Sequence, residues 1–252
     1  MNSIWKQRET IHMAARFLVL VVAAIIVLGG CLAQLPSGSI LGSGRIATQT
    51  YDFSRFDSVE ISDTFQADLT AGDGYAVEVT VDDNLVEYLE VEQHGGTVKI
   101  GLKPFTAVGN AHLKARITLP TLARLDVSGA SSADAKGFRT DKNVQINASG
   151  ASRIHGDMES GDLAADVSGG STLELKGRGS AVRATASGAS TLDLHDFAAG
   201  DADVDASGAS RIDLDTAGTL NARASGASTV RYMGHPTLGR VDESGASTVG
   251  RR

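Results

Sequence analysis

Through the second half of the chain, apolar residues occupy every other position in short runs. Val144, Ile146 and Ala148 form one run, Val182, Ala184 and Ala186 another, and Ala202, Val204 and Ala206 a third. The residues between them are polar: Gln145 and Asn147, Arg183 and Thr185, Asp203 and Asp205. A period of two predicts strands with one buried face. Each run stops at Ser-Gly-Ala-Ser, once written Ser-Gly-Gly-Ser, and the alternation then resumes. Leu173 and Leu175, Leu192 and Leu194, and Ile212 and Leu214 take the apolar places, with Glu174, Asp193 and Asp213 between them. Two short strands joined by a corner are therefore expected in every copy. The spacing of three and four that a helix needs is absent.

Seven copies of the corner begin at Ser128, Ser149, Ser168, Ser187, Ser207, Ser225 and Ser244, 18 to 21 residues apart. A period of that size predicts a solenoid in which each copy is one coil stacked on the last. The expected fold is all-β, a single-stranded parallel β-helix with about 19–20 residues per coil. Gly129, Gly150, Gly169, Gly188, Gly208, Gly226 and Gly245 hold the second place of the corner, where the chain must turn between strands. The third place is Ala or Gly170, which suggests a side chain pointing into a narrow corner. The serines at the first and fourth places would stack into hydroxyl ladders with rungs about 4.8 Å apart. Their expected role is structural, because none lies in a Gly-x-Ser-x-Gly elbow.

Residues 51–120 alternate too, as in Val77, Val79 and Val81 or Leu113, Ala115, Ile117 and Leu119, but lack the corner. Gly72-Asp73-Gly74 and Gly95-Gly96 mark tight turns. Asn84 to Glu90 fits a short helix or a wide turn. Most of the large aromatics lie here, including Phe53, Phe56, Phe65 and Tyr88. This part reads as irregular coils that close the N-terminal end of the stack, while residues 121–252 form the repeat coils.

The beginning of the chain has another pattern. Lys6, Arg8 and Arg16 precede an uncharged run from Phe17 to Gly30, which ends in Leu28-Gly29-Gly30-Cys31. The run is too short to span a bilayer comfortably, and its layout is that of a secretory signal. Leu-Gly-Gly-Cys resembles the lipobox of bacterial lipoproteins, which implies cleavage after Gly30 and acylation of Cys31, the sole cysteine. Residues 1–30 are thus read as a signal peptide, 31–50 as a lipidated N-terminus with a flexible linker, and 51–252 as the solenoid. Acyl chains on Cys31 would hold the protein at a membrane. Leu32 carries no aspartate-type retention signal, which favours an outer-membrane destination in a two-membraned cell.

Loss of residues 1–30 removes three basic side chains and Glu9, taking the net charge from −7 to −9. An acidic domain is a poor partner for nucleic acid, which demands a basic face. The histidines are dispersed, and no Walker-type loop or dinucleotide fingerprint is present. No cofactor is implied. What remains is acidic: two outward columns should form. Asp126, Asn147, Asp166, Thr185, Asp205, Arg223 and Asp242 stand two residues before each corner, and Asp134, His155, Glu174, Asp193, Asp213, Arg231 and Gly250 stand six after its first Ser. Glu174, Asp193 and Asp213 fall on consecutive coils, where carboxylates repel or share a cation. They are the weak candidate cation column. The ordinary role of such charges is to keep a β face soluble.

Phe56-Asp57-Ser58-Val59-Glu60-Ile61, the Gly95-Gly96-Thr97-Val98-Lys99-Ile100 segment, and above all Leu125-x-Val127-Ser128-Gly129-Ala130-Ser131 with its echoes resemble the putative auto-transporter adhesin head GIN domain family, also called DUF2807. The resemblance covers roughly residues 52–250. It implies a right-handed parallel β-helix on secreted or lipid-anchored envelope proteins, and it supplies no catalytic residues. The sequence therefore reads as a non-enzymatic, adhesin-like binding or structural module of the bacterial envelope, with an envelope glycan or protein as partner. A carbohydrate-active β-helix enzyme and an accessory protein of envelope signalling are the competing readings.

Overall fold

The computed structural model describes residues 38–252. The segment read as a signal peptide and Cys31 lie outside the described residues. From Ile40 the chain is a β-solenoid of about 6 turns with 64% of its residues in strands.

Two parallel ladders run along the stack, one on each side of the corners. On the first, Ser58–Ile61, Arg124–Val127, Val144–Ala148 and the later segments 163–167, 182–186, 202–206 and 220–224 pair in unbroken order. On the second, Gln66–Ala71, Ser132–Arg139 and the segments starting at Arg153, Thr172, Thr191, Arg211 and Thr229 do the same. The alternation sends its apolar half inward. Val182, Ala184, Ala186, Leu173 and Leu175 are all buried, as are their equivalents in neighbouring coils. Position by position the core tapers, because the last residue before each of the first six corners is only Ala or Val where the two ladders converge.

The corners have a common geometry. All seven corner glycines have φ of 74° to 76°, a region that residues with a Cβ rarely enter. A Cβ built on Gly208 would sit 2.6 Å from the carbonyl oxygen of Gly188 in the coil below. The N–H of Ala209 donates to that same oxygen at 2.7 Å. Room for a side chain is absent because the backbone is stacked on itself.

The rest of the corner differs from the sequence expectation. The third-place Ala130, Ala151, Ala189 and Ala209 are exposed, and Ser131, Ser152, Ser190 and Ser210 in the fourth place are the residues turned inside. The alanine faces solvent because positive φ at the glycine reverses the direction of the next Cβ. Hydroxyl ladders are also largely replaced by bonds to backbone. Ser210 Oγ donates to the Ala186 carbonyl at 3.0 Å, and the N–H of Ser207 donates to the same carbonyl at 2.9 Å. Ser190 treats Val167 in the same manner, and Ser228 treats Ala206. Only Ser152 and Ser171 approach hydroxyl to hydroxyl, at 3.3 Å.

Central coils are also more continuous than two short strands. Arg153–Val167, Thr172–Ala186 and Thr191–Ala206 are single strands of 15 to 16 residues that bend around a third side. Phe138, Met158, Gly177 and Phe197 stack on that side. Gly177 has φ of 127°, and a Cβ on Gly179 would meet the Phe197 ring at 3.0 Å. Small residues in one coil thus make room for the ring of the next.

The N-terminal end is closed by a change of order and direction. Thr97–Leu102 and Leu113–Leu119 pair outside Ser58–Ile61 and Gln66–Ala71, so a later segment of chain covers an earlier one. Antiparallel strands then finish both ladders: Leu89–His94 beside Thr97–Leu102, and Ala76–Asp82 beside Leu113–Leu119. Asp83–Tyr88 is a 3-10 helix between them. The linker reading to residue 50 is corrected here. Ile46–Tyr51 pairs antiparallel with Ala76–Asp82, and Ile40–Leu41 pairs with Val108–Gly109. Fully buried Asp82 fixes this segment by accepting the N–H of Gly44 and that of His112, each at 2.7 Å. These bonds, the one from His112 first, hold its carboxyl below the usual range despite burial. Composition alone does not reveal a tether that becomes an edge strand.

Replacement of Gly208 by Val is expected to cost about 3 kcal/mol or more, since positive φ and contact with the Gly188 carbonyl both oppose a branched side chain. Chemical denaturation of parent and variant measures this. A shift below about 1 kcal/mol would show that the corner tolerates a Cβ.

Candidate functional site

The acidic column lies on the second ladder, and its residues are register partners. Glu174 is opposite Asp193 and Asp193 is opposite Asp213. Each carboxylate has a basic neighbour. Glu174 lies 3.3 Å from His155 Nδ1 in the coil below, and Asp193 accepts from His195 Nδ1 at 2.6 Å. Asp213 is buried and accepts from Arg211 Nε at 2.5 Å through Oδ2, while its Oδ1 has no hydrogen-bond partner among the described residues. The expected repulsion between like charges is thus largely answered by bases two residues away on the same strand face or one coil below. Among the described residues no group of three or more His, Cys, Asp or Glu side chains has the arrangement of a metal site.

His195 is the electrostatic centre of this face. Besides Asp193, its Nε2 lies 3.2 Å from Asp196, and Lys176 stands 3.3 Å from the other oxygen of Asp196. The hydrogen bond to Asp193 raises the imidazole pKa above its ordinary value, more than partial burial lowers it, and the charges of Asp193 and Asp196 add to the rise.

The second column, two residues before each corner, lies on the other ladder. There Arg124 bonds Asp126 at 2.6 Å, Arg223 reaches Asp205 at 3.4 Å and Asp242 at 3.8 Å, and Arg240 bonds Asp242 at 2.5 Å. Of the charged members of this column, Asp166 has no ion pair among the described residues and the others are paired.

A concave site lies beside it. At six and four residues before the first serine of successive corners stand Asn143 and Gln145, Asp162 and Ala164, Ala181 and Arg183, Asp201 and Asp203, and Thr219 and Asn221. They flank the inward residues of the first ladder where the strand bends into the third side, and together line a cleft of about 590 Å³. The cleft runs across five coils, a length of roughly 20 Å at the usual strand spacing. Ala164 and Ala181 leave its floor shallow, and the charged side chains Asp162, Arg183, Asp201 and Asp203 are exposed along it. No attention falls on these positions in a search for shared motifs, since they differ from coil to coil. Their place in the sequence, four and six residues before a constant corner, is the signal that could have found them.

The family model described as putative auto-transporter adhesin, head GIN domain, matches residues 55–236. The chain belongs to this family. Among solved structures, a putative adhesin from Bacteroides fragilis superposes with a TM-score of 0.80 at 19% identity, covering 85% of this chain and 100% of its own. A putative adhesin from Parabacteroides merdae gives 0.65 at 16% identity, with 85% of this chain and 99% of its own covered. A putative lipid binding protein from Parabacteroides distasonis gives 0.67 at 18% identity over 85% of this chain and 99% of its own. At these identities the likeness is one of fold. Comparison with curated proteins finds no match.

Two outcomes are expected for the paired face of this GIN-domain protein. His195 has a raised folded pKa, so its stabilisation is complete below the unfolded value of about 6.5 and is lost as pH rises through the folded value. Replacement by Gln should remove up to about 1 kcal/mol of stability at mildly acidic pH and almost none at alkaline pH. Denaturation curves at several pH values test this; a pH-independent loss would deny the linkage. Calcium titration by calorimetry should give no saturable heat, whereas a heat abolished by replacing Glu174, Asp193 and Asp213 together would make the column a cation site.

Proposed function

We propose that the protein is a lipid-anchored module of the bacterial envelope that binds without catalysis. The observation that carries this reading is the straight stacking of the corners, which presents outward side chains of successive coils in columns on a rigid support. Membership of an adhesin-like family accords with it. So does the lipobox-like Leu28-Gly29-Gly30-Cys31, which would attach the chain to a membrane through acyl groups rather than through a spanning helix. Half-buried carboxylates such as Glu174 and Asp193 are ion-paired parts of an outward face in this reading, and the central coils repeat without the local interruption that a catalytic centre usually brings.

Expression of the full chain in a two-membraned bacterium tests the anchor. The parent should incorporate labelled palmitate and fractionate with the outer membrane, and Cys31→Ser should lose the label and become soluble or remain as uncleaved precursor. Normal processing with unchanged detergent partitioning in the variant would overturn the anchor. Cells carrying the parent should adhere to immobilised envelope polysaccharide or protein more than cells without it; release of new reducing ends from polysaccharide would replace the binding reading by a hydrolase or lyase.

A further inference from the structure

From the cleft on the first ladder we infer a binding site for one extended strand of neutral polysaccharide, lying along the solenoid axis. This inference rests on the binding-module reading and names its ligand class and place. The first support is shape. The cleft is open along the axis and crosses five coils, and Ala164 and Ala181 keep its floor clear where longer outward side chains would close it. Coil spacing, about 4.8 Å, is close to the repeat of an extended pyranose chain, so each coil meets about one sugar unit.

The second support is the state of its polar groups. Arg183 and Asp203 are register partners in adjacent coils. Yet among the described residues neither side chain makes a hydrogen bond or ion pair, and the Asp162 carboxylate makes none either. On the same ladder Arg223, two coils further on and two places nearer its corner, pairs with both Asp205 and Asp242. Arg183, Asp203 and the Asp162 carboxylate are therefore left for a ligand, whereas Asp201 Oδ1 accepts the Thr219 N–H, Asn221 Oδ1 that of Arg240, and most charges of the neighbouring columns are ion-paired.

Chemistry then selects the class. Carboxylates accept from neighbouring hydroxyl groups, while the Arg183 guanidinium and the Asn221 Nδ2 amide donate to hydroxyl and ring oxygens. Three carboxylates, Asp162, Asp201 and Asp203, against the single charge of Arg183 disfavour a polyanion. A peptide cannot be added as a further strand, because the backbone here is paired to a coil on each side. A neutral, hydroxyl-rich chain satisfies all three conditions.

Detergent-solubilised full-length protein, titrated calorimetrically with chito-oligosaccharides and cello-oligosaccharides from disaccharide to hexasaccharide, tests the site. Affinity should rise with chain length and level off near the pentasaccharide in at least one series. Arg183→Ala and Asp203→Ala should each weaken binding about tenfold, the loss expected for a charged hydrogen-bond partner. Glu174→Gln on the other ladder should leave binding unchanged, and unaltered melting curves will show that the exposed replacements fold. Binding that ignores the cleft variants would overturn the cleft as the site while the binding-module reading stands. Absence of binding by the parent in both series would overturn the ligand class, and the cell-adhesion assay then decides independently whether the module binds anything at the envelope.

Discussion

Contact between one corner glycine and the next sets the terms for the whole molecule. From the second corner onward the third-place N–H donates to the glycine carbonyl of the coil below at 2.7 to 2.8 Å, and the absent Cβ lets the backbones come that close. The carbonyl just before a corner is met twice, by the first-serine N–H of the next coil and, in most coils, by its fourth-serine hydroxyl. A buried hydroxyl would otherwise require water or remain costly. The motif is thus a backbone stacking device with its own polar side chain enclosed.

Fixing the register at the corners leaves variation in coil length to be absorbed elsewhere. Successive corners are 18 to 21 residues apart, and breaks in register on the repeat ladders fall away from the corners, between Ala135 and Phe138, Glu174 and Lys176, Leu194 and Ala198, and Leu220 and Ala222. The third side, with Gly177 beside Phe197, is where a residue can be gained or lost without moving a corner. At the end of the stack the same constraint is met without glycine. Asp63 has φ of 59° opposite Gly129, and its carboxylate accepts the N–H of Leu102 at 3.0 Å.

Features that depend on the repeat were legible in the sequence, because a period of two and a recurrent corner each have few physical solutions. The solenoid, its ladders and its inward residues follow from that pattern. Side-chain direction within the corner did not, since it depends on the positive φ of a neighbour, and alanine looks equally suited to a narrow interior or to open solvent. Residues 40–51 have the composition of a linker, yet their pairing depends on Ala76–Asp82 and Val108–Gly109, far away in sequence. The corner at Ser62-Asp63-Thr64-Phe65 carries no Ser-Gly-Ala-Ser signature, so nothing in the repeat pattern marks it. For the surface, the acidic column could be located but its compensation could not, because His195 and Arg211 reach Asp193 and Asp213 from the same strands.

Freedom to acquire a specific surface is unequally distributed in such a stack. Inward positions are bound by packing, corner positions by backbone contact, and many outward charges by ion pairs that a ligand would first have to break. The cleft residues escape all three constraints. They flank an inward side chain without being buried, stand away from the corner, and change from Asn143 and Gln145 to Asp201 and Asp203 within three coils. A ligand held there contacts several coils at once, each contributing one or two polar groups and none an aromatic platform. Affinity in such a site has to accumulate by length, because no single coil contributes enough to offset the loss of ligand freedom. That requirement points to a long, regular molecule, and a solenoid whose own regularity is enforced by its glycines is a suitable support to measure one.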